Sequence, residues 1–133
     1  MGYKEIQHTA DWALKIWATD LAGLLAESAQ GMYMLANAEP AKGPRVRREL
    51  TISAEDAESL LVAFLTELLH FSESEKIIFE KFIKLEIEGF NLNAMMEGAA
   101  LLAIEKEIKA VTWHNLQICE TERGLEVEIV FDV

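Results

Sequence analysis

Residues 46–88 read VRRELTISAEDAESLLVAFLTELLHFSESEKIIFEKFIKLEIE, and the spacing of apolar residues changes twice within them. Val46, Leu50 and Ile52 alternate with Arg47, Glu49 and Thr51, the pattern of a half-buried strand. Ser53 and Asp56 then offer a capping-box-like start. Behind it Leu60, Leu61, Phe64, Leu65, Leu68 and Leu69 form a helical stripe to about Phe71. From Ile77 to Gly89 the period returns to two: Ile83, Leu85 and Ile87 alternate with Lys84, Glu86 and Glu88, which predicts a long strand. A turn near residues 89–93 leads into a second strand around 94–99, so the two pair as a hairpin.

Working outward, Tyr3–Gln7 and Ala13–Ala18 read as two short strands. The segment His8-Thr9-Ala10-Asp11-Trp12 between them has low strand propensity and predicts a turn or bulge. Leu21, Leu24, Leu25, Met32, Leu35 and Ala36 predict a helix to about Asn37, with Thr19 or Asp20 as N-cap. Downstream, residues 99–109 fit either a short helix or a buried strand. Ile108–Glu120 is rich in strand formers, and Leu125, Val127, Ile129 and Phe131 alternate with acids behind a turn at Arg123-Gly124. The expected fold class is α+β, a single domain over residues 1–133: two amphipathic helices packed on a largely antiparallel sheet of about six strands, in two layers.

Composition narrows the function. Twelve Lys+Arg against 23 Asp+Glu in 133 residues give a net charge of −11, and 51% of the residues are hydrophobic. Such a chain builds its own core. Its charge repels phosphate backbones, so tight nucleic-acid binding by the chain alone is not expected. Lys42, Arg45, Arg47 and Arg48 are a local exception, read first as a charged strand edge. The longest apolar runs, Leu60–Leu65 and Ala99–Ile104, fall far short of the roughly 20 residues of a membrane span. No secretion signal opens the chain and Cys119 is the one cysteine, so a cytoplasmic protein is expected. Cys119 is read as a buried small hydrophobe, and Met32, Met34, Met95 and Met96 as core filling.

Familiar catalytic signatures are missing: there is no Gly-rich phosphate loop, G-x-S-x-G, H-E-x-x-H or cysteine pair. The candidates that remain are His8 and Asp11 in the first break, Lys109 and His114 late in the chain, and Asp132 beside Val133. Each has an ordinary structural reading: Asp11 as a turn cap, Asp132 as the polar neighbour of inward Phe131, His8 and His114 as hydrogen-bonded structural histidines. On one strand, Lys109 and His114 would face opposite sides. A strand-final Asp followed by Val133 nevertheless gathers the hard oxygen donors that calcium, magnesium and manganese favour. Asp11 reaches the same point if the Ala13 strand lies beside the last one.

Three stretches together, His8-Thr9-Ala10-Asp11, Glu107-Ile108-Lys109-Ala110-Val111-Thr112-Trp113-His114 and Phe131-Asp132-Val133, resemble the archease family along essentially the whole chain. Trp12 and Trp113 depart from the family pattern, which usually has a small aliphatic residue and a Tyr there. The 96–107 stretch is shorter than usual and lacks a histidine common in the family. The resemblance implies an accessory protein, not a stand-alone enzyme, that activates an RtcB-type RNA ligase in tRNA splicing or RNA repair through a transient contact. It implies promotion of GMP transfer from GTP to the ligase's own histidine, with GTP met only through the ligase. By motif, Asp11, Asp132 and Val133 would hold a divalent metal ion (calcium, manganese or magnesium), Lys109 would be the essential cation, and His8 would orient Asp11. The competing reading is a chaperone-like or scaffold module for RNA-processing proteins without metal chemistry.

Overall fold

The computed structural model describes residues 1–7 and 12–133. In chain order the elements are β1 (Gly2–Gln7), β2 (Trp12–Ala18), α1 (Leu21–Ala36), β3 (Glu39–Pro40), β4 (Val46–Ser53) and α2 (Ala57–Ser74). They are followed by β5 (Ile77–Glu88), β6 (Asn91–Ala103), β7 (Ala110–Val111), β8 (Cys119–Thr121) and β9 (Gly124–Asp132). The α+β expectation of two helices on antiparallel sheets holds. The strands, however, number nine among the described residues and divide between two sheets rather than one of about six.

In the first sheet β9 is central. It pairs with β2, which pairs with β1, while β8 and β7 share its other side. In the second sheet β6 is central, paired with β4, β5 and the short β3. Helix α1 lies on β1, β2 and β9 and reaches β5; α2 lies on β4, β5 and β6 and reaches β7. One continuous core joins both sheets through the helices, with Leu14, Ile16, Leu24, Phe64, Phe79 and Phe131 fully buried. Each such side chain contributes about 1.5–3 kcal/mol through burial.

Local chemistry explains the element ends. The Asp20 carboxylate accepts the Gly23 N–H at 2.7 Å and so caps α1, which closes at Asn37 in the left-handed conformation (φ 49°). Asp56 itself, not Ser53, caps α2 by accepting the Ser59 N–H at 2.7 Å; Ser53 is the last residue of β4. That hydrogen bond holds the Asp56 carboxyl below the usual carboxylate range. Helix α2 continues past the end of its apolar stripe at Phe71 to Ser74.

The long hairpin is less regular than its alternation predicts. β5 carries two register shifts, between Phe79 and Lys81 and between Phe82 and Lys84. A bulge inserts a residue and turns its side chain out of step, which leaves Ile83 42% exposed instead of inward. Gly98 is required here: a Cβ would collide with the Ile78 carbonyl across the pair. The undecided stretch after residue 99 prolongs β6 as strand to Ala103. Ile108–Glu120, by contrast, is mostly irregular, with strand only at Ala110–Val111 and from Cys119.

Candidate functional site

The site grows from the far end of β9. Phe131 is fully buried and Asp132 exposed, as alternation along a strand requires. Because β9 is central, Phe131 lies opposite Trp12, the first residue of β2, and opposite Val111 in β7. One residue on, Asp132 faces Ala110, and the Lys109 N–H donates to the Asp132 carbonyl at 2.8 Å. The Thr112 N–H donates to the Val130 carbonyl at 2.9 Å, so the ladder fixes the segment on both sides of β7. Lys109 and Asp132, distant in sequence, are thus one backbone hydrogen bond apart.

Their side chains do not neutralise each other. Both residues are exposed, and among the described residues neither the Lys109 ammonium nor the Asp132 carboxylate takes part in an ion pair. Val133 packs partly buried against the core. β2 does lie beside the last strand, with Trp12 opposite Phe131, and Asp11 is the residue that precedes Trp12. His8 and Asp11 themselves lie outside the described residues.

The chain matches the family described as the Archease protein family (MTH1598/TM1083) over residues 3–133. It belongs to the archease family. It is 31% identical to the protein archease of Methanosarcina mazei, the alignment covering 98% of this chain and 95% of that one. It is 29% identical to the protein archease of Methanopyrus kandleri over the full length of both. The solution structure of Methanobacterium thermoautotrophicum protein 1598 is similar with a TM-score of 0.72 at 26% identity, covering 99% of each chain. The crystal structure of an archease from Thermotoga maritima, described as a possible chaperone, shares the fold with a TM-score of 0.71 at 23% identity. It covers 98% of this chain and 96% of that one.

Within this archease the tip carries one cation that sequence reasoning missed. The Lys106 ammonium sits 5.0 Å from the centre of the Trp12 ring, the arrangement of a cation–π contact. Its segment is fastened from below, since the N–H groups of Glu105 and Lys106 both donate to the Ala36 carbonyl at 3.1 Å. The one signal in the sequence was Trp12, an unusual residue after the HTAD stretch. No period or spacing ties it to position 106.

Other candidates are corrected. Lys109 and His114 do not share a strand, so parity does not relate them: the chain leaves β7 after Val111 and turns at Asn115 (φ 50°). His114 is exposed, its ring 3.3 Å from the Asn115 amide nitrogen. Cys119 is exposed rather than buried. Met32 and Met96 fill the core, but Met34 is 44% exposed. The basic segment is tied down by ion pairs: Arg45 with Glu80 at 2.8 Å, Arg47 with Glu97 at 3.4 Å and Arg48 with Glu75 at 2.9 Å. On the terminal hairpin Arg123 lies over Trp17 at 4.4 Å and pairs with Glu126.

Proposed function

We propose that this archease is an accessory activator of an RtcB-type RNA ligase, presenting the Lys109–Asp132 tip to the ligase's nucleotide pocket and promoting guanylylation and multiple turnover. The observation that supports it is the hydrogen bond from the Lys109 amide to the Asp132 carbonyl, which joins two motifs of the family at one exposed point while leaving both charges free of ion pairs among the described residues. Guanylyl transfer develops negative charge on a triphosphate, and a pre-positioned ammonium stabilises such charge. Lys109 carries that group on backbone fixed beside β7 by its own amide and by the Thr112 amide, with the side chain exposed and within reach of an approaching phosphate. Asp132 and the rest of the acidic surface favour approach to a cationic pocket.

The same tip suits a divalent cation in chemistry. Among the described residues no three His, Cys, Asp or Glu side chains gather closely enough to hold a metal ion. Asp132 and the main-chain oxygens of Val133 offer oxygen donors only, a set for calcium, manganese or magnesium rather than zinc. Asp11 would complete it, with His8 orienting Asp11. Bound there, the ion would add positive charge toward the phosphates. The chain's own residues hold the donors in place: Phe131 by burial, Trp12 by pairing, Lys109 by its amide.

The test is ligase guanylylation by labelled GTP under multiple turnover, with the parent protein and with Asp11→Ala, Lys109→Ala and Asp132→Ala, each checked for folding by circular dichroism. Loss of stimulation in folded variants is expected. Equal stimulation by all four would remove Lys109 and the carboxylates from the mechanism. A scaffold reading draws on the exposed apolar residues Leu102, Ile104 and Trp113. It predicts activation that survives loss of Lys109 and fails when those residues become polar.

A further inference from the structure

A groove of about 620 Å³ runs between the C-terminal halves of α1 and α2, bounded by the 104–111 segment that carries Lys109. Its floor is apolar: Met32 from α1, Leu69 from α2, Ile78 from β5, and Ile108 and Val111 beside Lys109. Ile104 lines it and remains 41% exposed, so the groove is an open trough with an apolar lip. The charged groups along it balance, Glu73 and Glu107 against Lys76 and Lys109, with His70 beside them. That balance is local, on a chain with a net charge of −11.

From this geometry we infer that the groove docks an uncharged, apolar-anchored segment of the same ligase, so that one end of the contact grips while the other delivers Lys109. The inference rests on the activator reading above. Continuity carries it: Lys109, Ala110 and Val111 line the groove, and the Lys109 amide bonds to the Asp132 carbonyl, so groove and tip share one stretch of backbone. A segment seated in the groove therefore ends its path at the tip. The charge pattern selects the occupant. A basic peptide gains more on the acidic faces elsewhere, whereas a neutral apolar segment meets no net charge here and covers Ile104 and Leu69. Walls supplied by two helices suit anchors spaced i, i+3 and i+4 on a partner helix. The Tyr33 hydroxyl, which accepts the Phe79 N–H at 3.3 Å, also borders the groove and offers its proton to a main-chain carbonyl of the guest.

The experiment titrates ligase guanylylation against the full chain, comparing the parent with Ile104→Glu, Thr66→Trp and Lys109→Ala, all checked for thermal unfolding. Ile104→Glu places a charge on the lip and Thr66→Trp fills the trough from α2. Both are expected to raise the concentration for half-maximal stimulation by about tenfold or more, moving the midpoint more than the plateau. Lys109→Ala is expected to lower the plateau more than it moves the midpoint. A photo-cross-linking residue at position 66 should attach to the ligase at an apolar segment. If the parent stimulates and both groove variants titrate like it, the groove proposal falls and the activator reading stands. Cross-links to a second copy of this chain, with a dimer in sedimentation, would likewise overturn it. If the parent neither binds nor stimulates the ligase, the activator reading falls and takes the groove with it.

Discussion

Two ends of this molecule treat charge in opposite ways. On the second sheet cations are matched across strands and to the end of α2: Arg45 with Glu80, Arg47 with Glu97, Arg48 with Glu75, and Lys84 with Glu86 along β5. At the β9 end of the first sheet, Lys109 and Asp132 are held next to each other by their backbones, yet among the described residues neither enters an ion pair. The matched end uses its charges to join the β4 region to β5, β6 and the end of α2. At the other end backbone hydrogen bonds do the placing, and among the described residues the two charged groups have no ion-pair partner. Charge density alone points to the matched end, because the basic segment at residues 42–48 is the more conspicuous one in the sequence.

Breaking the support under the tip has the largest expected effect. Phe131→Ala removes a fully buried ring between Trp12 and Val111 and should cost about 3–5 kcal/mol of stability in denaturant unfolding. An equally large cost is expected for Phe64, so the tip is distinguished by a second readout: in a sub-denaturing concentration, amide exchange at Lys109 and Thr112 should accelerate in Phe131→Ala more than in Phe64→Ala. Equal acceleration would show that the tip is not seated on Phe131. Next in size is Tyr33→Phe. It strips the Phe79 N–H of its acceptor and should cost about 1–3 kcal/mol. Burial pushes the Tyr33 hydroxyl above its ordinary range, so its contribution is fully present below about pH 10 and is lost as pH rises further. The parent should therefore lose stability at high pH more steeply than Tyr33→Phe, measured by thermal midpoints across the alkaline range.

How far the sequence reaches differs between these ends too. Helix α2 and the strand before it are written in local periods, and the helix side of that boundary is sealed by the short-range Asp56 cap, so the 46–71 stretch reads almost residue by residue. The division into two sheets is not local. It depends on β9 choosing β2 and β7 as neighbours while β6 chooses β4 and β5, and no spacing within a strand encodes its partner. Ile83 misleads because a bulge shifts parity without changing the sequence pattern. Short motifs single out Lys109 and Asp132 as candidates, but their hydrogen bond follows only from the register of β7 on β9. Lys106 was missed because a cation–π contact with Trp12 leaves no mark on either neighbourhood. Ile108–Glu120 was overread: strand formers there face the core from a loop, with Leu116 and Ile118 half-buried and the Ile118 N–H donating to Glu58 at 2.9 Å.

Smaller effects sharpen the contrast. Lys106→Met keeps the aliphatic stem and removes the ammonium over Trp12, a change of about 0.5–1 kcal/mol for a pair in which both residues are half-buried. The Trp12 indole resonance should move while that of Trp17, under Arg123, stays. Lys106→Arg should restore it, and an unmoved Trp12 signal would dissolve the contact. At the other end, Asp56→Asn tests the cap that launches α2 from β4. The folded carboxyl titrates below its unfolded value because it accepts the Ser59 N–H, so its stabilisation is present above about pH 4 and fades as pH falls through the folded value. The parent and Asp56→Asn should differ at neutral pH and converge in acid; a constant offset would assign the effect to something other than ionisation.

The smallest effect separates the two ends most sharply. Arg47 reaches Glu97 at 3.4 Å with its side chain 65% exposed, and an ion pair in that setting contributes about 0–1 kcal/mol. Arg47→Ala should shift the unfolding midpoint slightly at low salt and less at high salt, since screening already weakens the pair. Ligase stimulation should follow the parent at every salt concentration, because Arg47 lies on the second sheet, away from the proposed Lys109–Asp132 contact. Lys109→Ala should do the reverse, leaving unfolding near the parent and removing stimulation. If Arg47→Ala lowered stimulation as well, the matched charges would also be part of the contact, and pairing within the chain would no longer distinguish structural from functional cations here.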